Sequence, residues 1–412
     1  MVSDPRSALV LDSPLVRAWA VMAARLIVFV AFFDLFVQYP LAAPYAESLG
    51  ATPALIGLVV ASYSIANLAG NIAAGILLDR FGRLWPLVIG AAITSAVLIA
   101  YTLVAHPVQL LAVRLLHGLA VAVLAPGTFA LIGDLAAPDQ RARAMGLNGA
   151  LIAAAAVIAP PLAGIVQARA GYAVVFLADA ALMAVATLVA LVMLLLLPSQ
   201  QRVPRSVPSQ ALLRRYARLF SRDHLRMAYG TIIAFATGLG FLVTHLPLAL
   251  EVTGGSPADR GLAFGIYGGV AALLMASPLT RVTDRRTRAI PAALGLVLIG
   301  LGLLVLVTGL TRPSLIVGMT VFGLGFGFLF PAASALVVEA SDRDERGFAF
   351  GVFYALYSIG VVLGALWSGF LAELAGSASS VPFLAGGTLA AAAGSAALIR
   401  IAHKSRFHRV HR

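Results

Sequence analysis

Ala173 to Leu197 reads AVVFLADAALMAVATLVALVMLLLL, with Asp179 its single ionisable side chain. A helix needs about 20 apolar residues to cross roughly 30 Å of hydrocarbon, and a surface helix of a soluble domain would carry a polar face along that length. This stretch has no polar face. It reads as a membrane span, and the next question is how many more the chain holds.

Apolar runs of the same kind recur from end to end. Placed on that length scale there are twelve, at approximately 20–45, 52–78, 84–105, 108–132, 145–168, 173–197, 227–250, 261–281, 289–310, 314–338, 349–373 and 380–401. Composition agrees: 61% of residues are hydrophobic and 11% charged, where soluble domains carry about a quarter charged residues. The bilayer is therefore the solvent, and the expected fold class is all-α integral membrane. The first apolar run is not followed by a cleavage-site pattern and reads as a retained span, not a signal peptide. The chain has no cysteine, which excludes disulfides, thiolate metal sites and a cysteine nucleophile.

The one long hydrophilic connection, 198–226, holds seven arginines among prolines and serines and divides the spans six and six. The expected organisation is a six-helix bundle over 1–197, a basic linker over 198–226, a second six-helix bundle over 227–401 and a basic tail over 402–412. A net charge of +12 could suggest a nucleic-acid partner. The positions of the charges argue otherwise. With both termini in the cytoplasm, nearly all Lys and Arg fall in the tails and inside loops; Arg169, Arg260 and Arg312 face outside, and Arg25 and Arg114 lie within spans. That is the bias that orients helices in an inner (cytoplasmic) membrane. The basic tail can also draw anionic lipid.

A shift of 205 residues superimposes the two halves. Asp79-Arg80 falls on Asp284-Arg285, Arg83 on Arg288, Pro126 on Pro331, Asp134 on Glu339, Arg141 on Arg346, Gly146 on Gly351 and Gly164 on Gly369. The halves are therefore read as parallel repeats, an arrangement in which solute sits between them near the midplane.

Between spans 2 and 3 the chain reads Gly75-Ile76-Leu77-Leu78-Asp79-Arg80-Phe81-Gly82-Arg83, which resembles the signature loop of the major facilitator superfamily. With the repeat and the span count, the resemblance covers the whole chain and implies the fold of that family, two pseudo-symmetric six-helix bundles. Arg114 followed by His117-Gly118 resembles the span 4 motif of its proton-coupled members. Ala155, Ala159-Pro160 and Ala163-Gly164 are similar to a degenerate antiporter motif of the drug/proton branch, with alanine replacing several glycines. In the family the signature loop is a latch that holds the outward-facing state closed on the inside. Physically, Gly75 and Gly82 permit close approach and a turn, Asp79 can accept backbone N–H groups at a helix start, and Arg80 and Arg83 can meet Asp134 or lipid phosphate. Position 84, often basic in the family, is Leu84. The second-half loop keeps Asp284, Arg285 and Arg288 but has lost both glycines, so a weaker latch is expected there. Asp134 with Arg141 and Glu339 with Arg346 suggest matching salt-bridge networks, or simply solvated faces.

An ionisable residue inside a span costs at least about 2.5 kcal/mol, so it seldom persists without a role. Asp34 lies midway along span 1 in Phe32-Phe33-Asp34-Leu35-Phe36, and a carboxylate that takes and releases a proton at mid-depth is what proton coupling requires. Arg114 is always charged and needs a partner; Asp34 is the first choice and Asp179 the second. A permanent ion pair that only fixes helix packing is the competing reading of these three. Gln38, the stripe Tyr63, Asn67 and Asn71, Phe241 with His245, and Tyr354 with Tyr357 fall at helical spacing and are candidate cavity residues, or alternatively helix-to-helix contacts. His117 and His245 read as packing residues, since nothing in the sequence pairs either with a carboxylate.

The expected function is a proton-coupled exporter of amphipathic or cationic small molecules working by alternating access. Transport of another solute, such as a lipid, a siderophore-like molecule or a metabolite, is the alternative. No HExxH, GxSxG or P-loop motif supports an enzyme. No cofactor or metal is expected; the partners are a small-molecule substrate, protons and membrane lipids, with the chain acting as a monomer.

Overall fold

The computed structural model describes residues 14–136, 141–197, 219–277, 279, 288–342 and 345–410. All regular structure among them is helical. In chain order the helices are α1 (Pro14–Ser48), α2 (Pro53–Phe81), α3 (Leu84–Tyr101) and α4 (Pro107–Val121, resumed after a turn as Leu124–Leu135). A continuous stretch Arg141–Leu196 follows, broken at Gly171, whose φ of 81° no helix tolerates. It thus forms α5 (141–170) and α6 (172–196). The second half holds α7 (Asp223–Val252), α8 (Pro257–Ala276), α9 (Ala289–Val307), α10 (Arg312–Ala340), α11 (Arg346–Ala375) and α12 (Val381–Val410).

Ten helical stretches are long and apolar enough to cross a membrane. Arg141–Leu196 is one of them, yet at 1.5 Å per residue its 56 residues would extend roughly 84 Å, so it crosses twice. α8, with Asp259 and Arg260 near its start, adds the twelfth crossing. The twelve crossings match the count expected from hydropathy. The boundaries move, however: α7 begins at Asp223, inside the expected linker, and α12 runs on to Val410 through most of the expected tail.

Three helices begin with the same local chemistry. Thr52 caps α2 through Leu55 N–H with Pro53 following, Thr311 caps α10 through Ser314 N–H, and Ser256 forms a reciprocal capping box with Asp259 ahead of α8. Large apolar side chains such as Leu15, Ile72, Leu103, Leu195, Leu273 and Leu374 stay exposed on the outside of the molecule, where hydrocarbon replaces water.

Within the first half α1 packs on the α5–α6 stretch, α3 on the same stretch and α2 on α4; within the second, α9 packs on α10 and α12, and α7 on α11. The halves meet along two seams, α2 against α11 and α5 against α8. Both are glycine contacts. A Cβ added to Gly57 would stand 2.5 Å from the Ala365 carbonyl oxygen and 3.0 Å from Gly369 Cα, and one added to Gly164 would strike the Pro257 carbonyl beside Gly261. Gly164 and Gly369 are the pair that the 205-residue shift superimposes, so the two seams are related by the repeat.

The same helices show that the halves diverge at their other end. Gly75 lies 18 residues beyond Gly57 on α2, as Gly146 does before Gly164 on α5 and Gly351 before Gly369 on α11. Eighteen residues are five whole turns, so each pair shares one helix face. At Gly75, Gly146 and Gly351 an added Cβ meets nothing within 4 Å. The molecule is closed at the end bearing the α1–α2 and α7–α8 loops and open at the end bearing the α2–α3 loop.

Candidate functional site

Four spans of the first half bring a polar cluster into an otherwise apolar interior. Asp34 of α1 and His117 of α4 are each 0% exposed, and His117 Nε2 lies 3.0 Å from Asp34 Oδ2. On its other side His117 Nδ1 is 3.0 Å from the Tyr101 hydroxyl, at the end of α3. Asp179 of α6, also buried, is near enough to Asp34 for the two carboxyls to interact electrostatically. Asp34 Oδ1 and both carboxyl oxygens of Asp179 receive no hydrogen bond from any donor group among the described residues. Two carboxylates this close in a dry interior repel each other when both are ionised, so a proton held by either relieves the arrangement.

Arg114 is buried one turn before His117, but the expected Asp34–Arg114 and Asp179–Arg114 ion pairs are absent. Its Nε donates to the Val59 carbonyl at 2.7 Å, Nη1 donates to Gln38 Oε1 at 3.3 Å, and the guanidinium lies over the Tyr63 ring, 5.5 Å from its centre. The reason is rotational. Arg114 and His117 are three residues apart, about 300° around α4, so His117 takes the place beside Asp34 that the arginine was expected to fill, while Arg114 turns toward α2. The reading of His117 as a packing residue is corrected by the same geometry.

Gly118 permits this approach: an added Cβ there would strike the Tyr63 carbonyl and stand 3.0 Å from Ala66 Cβ. Asn67 Nδ2 donates to the Gly118 carbonyl at 3.3 Å and so ties α2 to α4, while Asn71 Nδ2 donates to Asn67 Oδ1 at 2.8 Å within α2. Asn71 remains exposed.

Phe241 and His245 are not cavity residues. Both are buried inside the second half, Phe241 against Gly386 of α12, and His245 with its ring edge-on to Phe383 and Nε2 2.6 Å from the Ser379 carbonyl. Between the halves stand aromatic rings, most of which sequence reasoning missed. Tyr39 of α1 packs on Phe264 of α8 at 5.6 Å and faces the hydroxyl of Tyr357 on α11. Tyr267 packs on Phe326 at 5.7 Å, Phe326 on Phe330 at 5.3 Å, and Tyr354 is 48% exposed on the α11 face toward the open end. The four-residue spacing of Phe322, Phe326 and Phe330 was the available signal.

At the open end Arg83 Nε lies 3.5 Å from Asp134 Oδ2, as one of the two expected alternatives, and its Nη1 lies 3.5 Å from Asp79 Oδ1. The repeat mate of the Arg83–Asp134 contact is Arg288 Nε to Glu339 Oε1 at 2.7 Å. The two acids thus meet the arginines of the α2–α3 and α8–α9 loops; Arg346 donates instead to the Val338 carbonyl at 3.3 Å. Arg80 lies over the Phe81 ring, and Asp79 is largely exposed and accepts no backbone N–H of a neighbouring helix among the described residues. Gly82, with φ of 78°, makes the turn into α3. Asp284, Arg285 and the Arg141 side chain lie outside the described residues. A further cluster went unread: Arg222 donates to the Ala340 carbonyl at 2.6 Å and to Glu345 at 3.0 Å, tying the start of α7 to the α10–α11 turn.

At the closed end Arg260, counted from sequence as an outside charge, is 2% exposed. It pairs with Glu251 of α7 and donates to Gln167 Oε1 of α5 at 3.1 Å, crossing the seam between the halves. On the other seam the Glu373 carboxylate accepts from the Ala54 N–H at 3.0 Å, at the positive end of α2.

The sequence matches the Major Facilitator Superfamily over residues 26–327 and 246–409. Relatives include Multidrug resistance protein 1 of Bacillus subtilis, 26% identical over 84% of this chain and 88% of that one. The probable actinorhodin transporter of Streptomyces coelicolor is 27% identical over 88% of this chain and 74% of its own. Among solved structures, the fold is similar to the peptide transporter POT in complex with sulfate, with a TM-score of 0.76 at 15% identity over 94% of this chain and 95% of that one. The nucleoside transporter NupG gives a TM-score of 0.75 at 18% identity over 92% and 99%. With two repeat-related six-helix halves, a signature α2–α3 loop and a family match along almost its whole length, the chain belongs to the major facilitator superfamily of membrane transporters.

Proposed function

We propose that this transporter couples proton movement to the export of amphipathic or cationic aromatic molecules. The observation that carries the reading is the Asp34 carboxyl, fully enclosed in the first half, bonded to His117 and adjacent to a second buried acid, Asp179. A carboxyl pair in such a setting binds a proton reversibly only if the bundle around it changes shape, and the closed-and-open geometry of the halves supplies two shapes. The partly exposed rings of Tyr39, Phe326 and Tyr357, backed by the buried Phe264 and Tyr267, offer apolar faces suited to lipophilic cations and planar rings. Relatives named for multidrug and quinolone resistance and for actinorhodin transport support the same class of cargo.

With both termini in the cytoplasm of a cell whose inner membrane holds the protein, the open end faces the cytoplasm and the closed end faces out. Cargo then enters among the aromatic rings from inside. Protonation of the Asp34–Asp179 pair removes a buried charge and allows the halves to exchange ends.

The aromatic rings named above also favour a second cargo, a neutral planar molecule, because no acidic side chain is among them. Inverted membrane vesicles with an imposed pH gradient test both. Proton-driven accumulation of a fluorescent lipophilic cation is expected in the parent and lost in Asp34→Asn, with a neutral planar dye separating the cargo classes. Undiminished proton-driven accumulation by Asp34→Asn removes Asp34 from the coupling.

A further inference from the structure

Asp34 stands at the end of a hydrogen-bonded chain whose direction the carboxylate sets. An ionised Asp34 can only accept, so the hydrogen between its Oδ2 and His117 Nε2 sits on the imidazole. The neutral ring then carries no hydrogen on Nδ1, which accepts from the Tyr101 hydroxyl 3.0 Å away. The sequence of donation is Tyr101, His117, Asp34.

The Tyr101 ring is held for this task. It is buried, stacked on Phe176 of α6 at 4.7 Å between centroids and edge-on to His117, and its backbone carbonyl accepts from the Tyr45 hydroxyl at 2.6 Å. The titratable and charged groups around Asp34 are His117 and Arg114 from α4, Tyr63 from α2, Tyr101 from α3 and Asp179 from α6. With Oδ2 committed to accepting from His117, the oxygens left for a proton are Asp34 Oδ1 and those of Asp179, which are the buried oxygens without a donor.

We propose that Tyr101 is a positioning residue: by donating to His117 Nδ1 it fixes the Nε2–H tautomer and so directs the coupled proton to the Asp34–Asp179 pair and away from His117. Proton uptake then forms one O–H bond on that carboxyl pair and breaks none in the donor chain. Without the Tyr101 hydroxyl, His117 is free to carry its hydrogen on Nδ1 and accept from Asp34 at Nε2, which opens a second place for the proton. The inference rests on reading Asp34 as the coupling acid, but its first readout does not need transport.

The test uses the purified full chain labelled with ring-15N histidine, with the His117 signals assigned by their loss in His117→Gln. The parent is expected to show the Nε2–H tautomer. Tyr101→Phe keeps the ring and its stacking, and is expected to give mixed tautomers together with a displacement of about one pH unit in the midpoint of proton uptake, the size expected from one lost hydrogen bond. An Nδ1–H tautomer in the parent overturns the proposal, as does a Tyr101→Phe protein with unchanged tautomer and midpoint. Retained proton-driven transport in Asp34→Asn would instead refute the coupling role of the acid, and leaves the tautomer measurement standing.

Discussion

A single methyl group placed on one helix face should push the transporter in opposite directions depending on which end receives it. In Gly164→Ala the new Cβ would collide with the Pro257 carbonyl oxygen and lie 3.1 Å from Gly261 Cα. Both obstacles are backbone, so no rotamer change relieves the clash, and overpacking of this kind costs about 1–3 kcal/mol. The cost falls only on the state in which this end is closed. It therefore shifts the balance of the two states by about 5- to 150-fold toward the state open at this end. In Gly146→Ala, five turns away on the same face, the methyl enters open space here and is charged to the opposite state. Because the chain has no cysteine, Tyr354→Cys introduces a unique reporter at a side chain half exposed toward the open end. Its rate of modification by a membrane-impermeant maleimide should fall at least several-fold in the Gly164→Ala background and hold or rise in Gly146→Ala. A folded Gly164→Ala protein that labels at the parental rate would refute the account of the seam as a state-selective contact.

Arg260→Gln removes the charge that bridges Gln167 and Glu251 across the seam; it should slow labelling of the same reporter in the sense of Gly164→Ala, and more weakly, because Glu251 is half in solvent and loses less when unpaired. Ser256→Ala deletes the capping box that starts α8 and should lower stability by about 1 kcal/mol, seen as a reduced midpoint in thermal unfolding of the detergent-solubilised protein, with the transport pH profile unmoved.

Hydropathy and the repeat were enough to read twelve crossings and two halves, because both are properties of residue type along the chain. Even the break between α5 and α6 fell where the apolar runs are interrupted, at Gly171. The α2–α3 loop gave Arg83 and Asp134 as partners because only the α3–α4 hairpin separates the loop from the helix end. The inside of the first half was harder to read. Asp34 and His117 are 83 residues apart, and whether His117 or Arg114 meets Asp34 depends on the rotation of α4 about its own axis, which an apolar run does not encode. Arg114 found a carbonyl, a glutamine amide and the Tyr63 ring where a carboxylate was expected, since an arginine with five donors can be satisfied without an anion. Arg260 misled for a different reason. Charge counting treats every loop arginine as a topological marker, and this one is a bolt.

The glycine pairs on α2, α5 and α11 have a mechanical consequence. Their partners are separated by 18 residues, roughly 27 Å along each axis, nearly the depth of the hydrocarbon. On a lever of that length a tilt of roughly 10° parts the far ends by about 5 Å. A joint made of absent side chains can be loosened by any substitution and tightened by none. Whatever sets the resting poise of the machine must therefore act from beside the joint, through groups such as Arg260 and Glu373 that clasp its rim, and variants that retune its speed should be sought there.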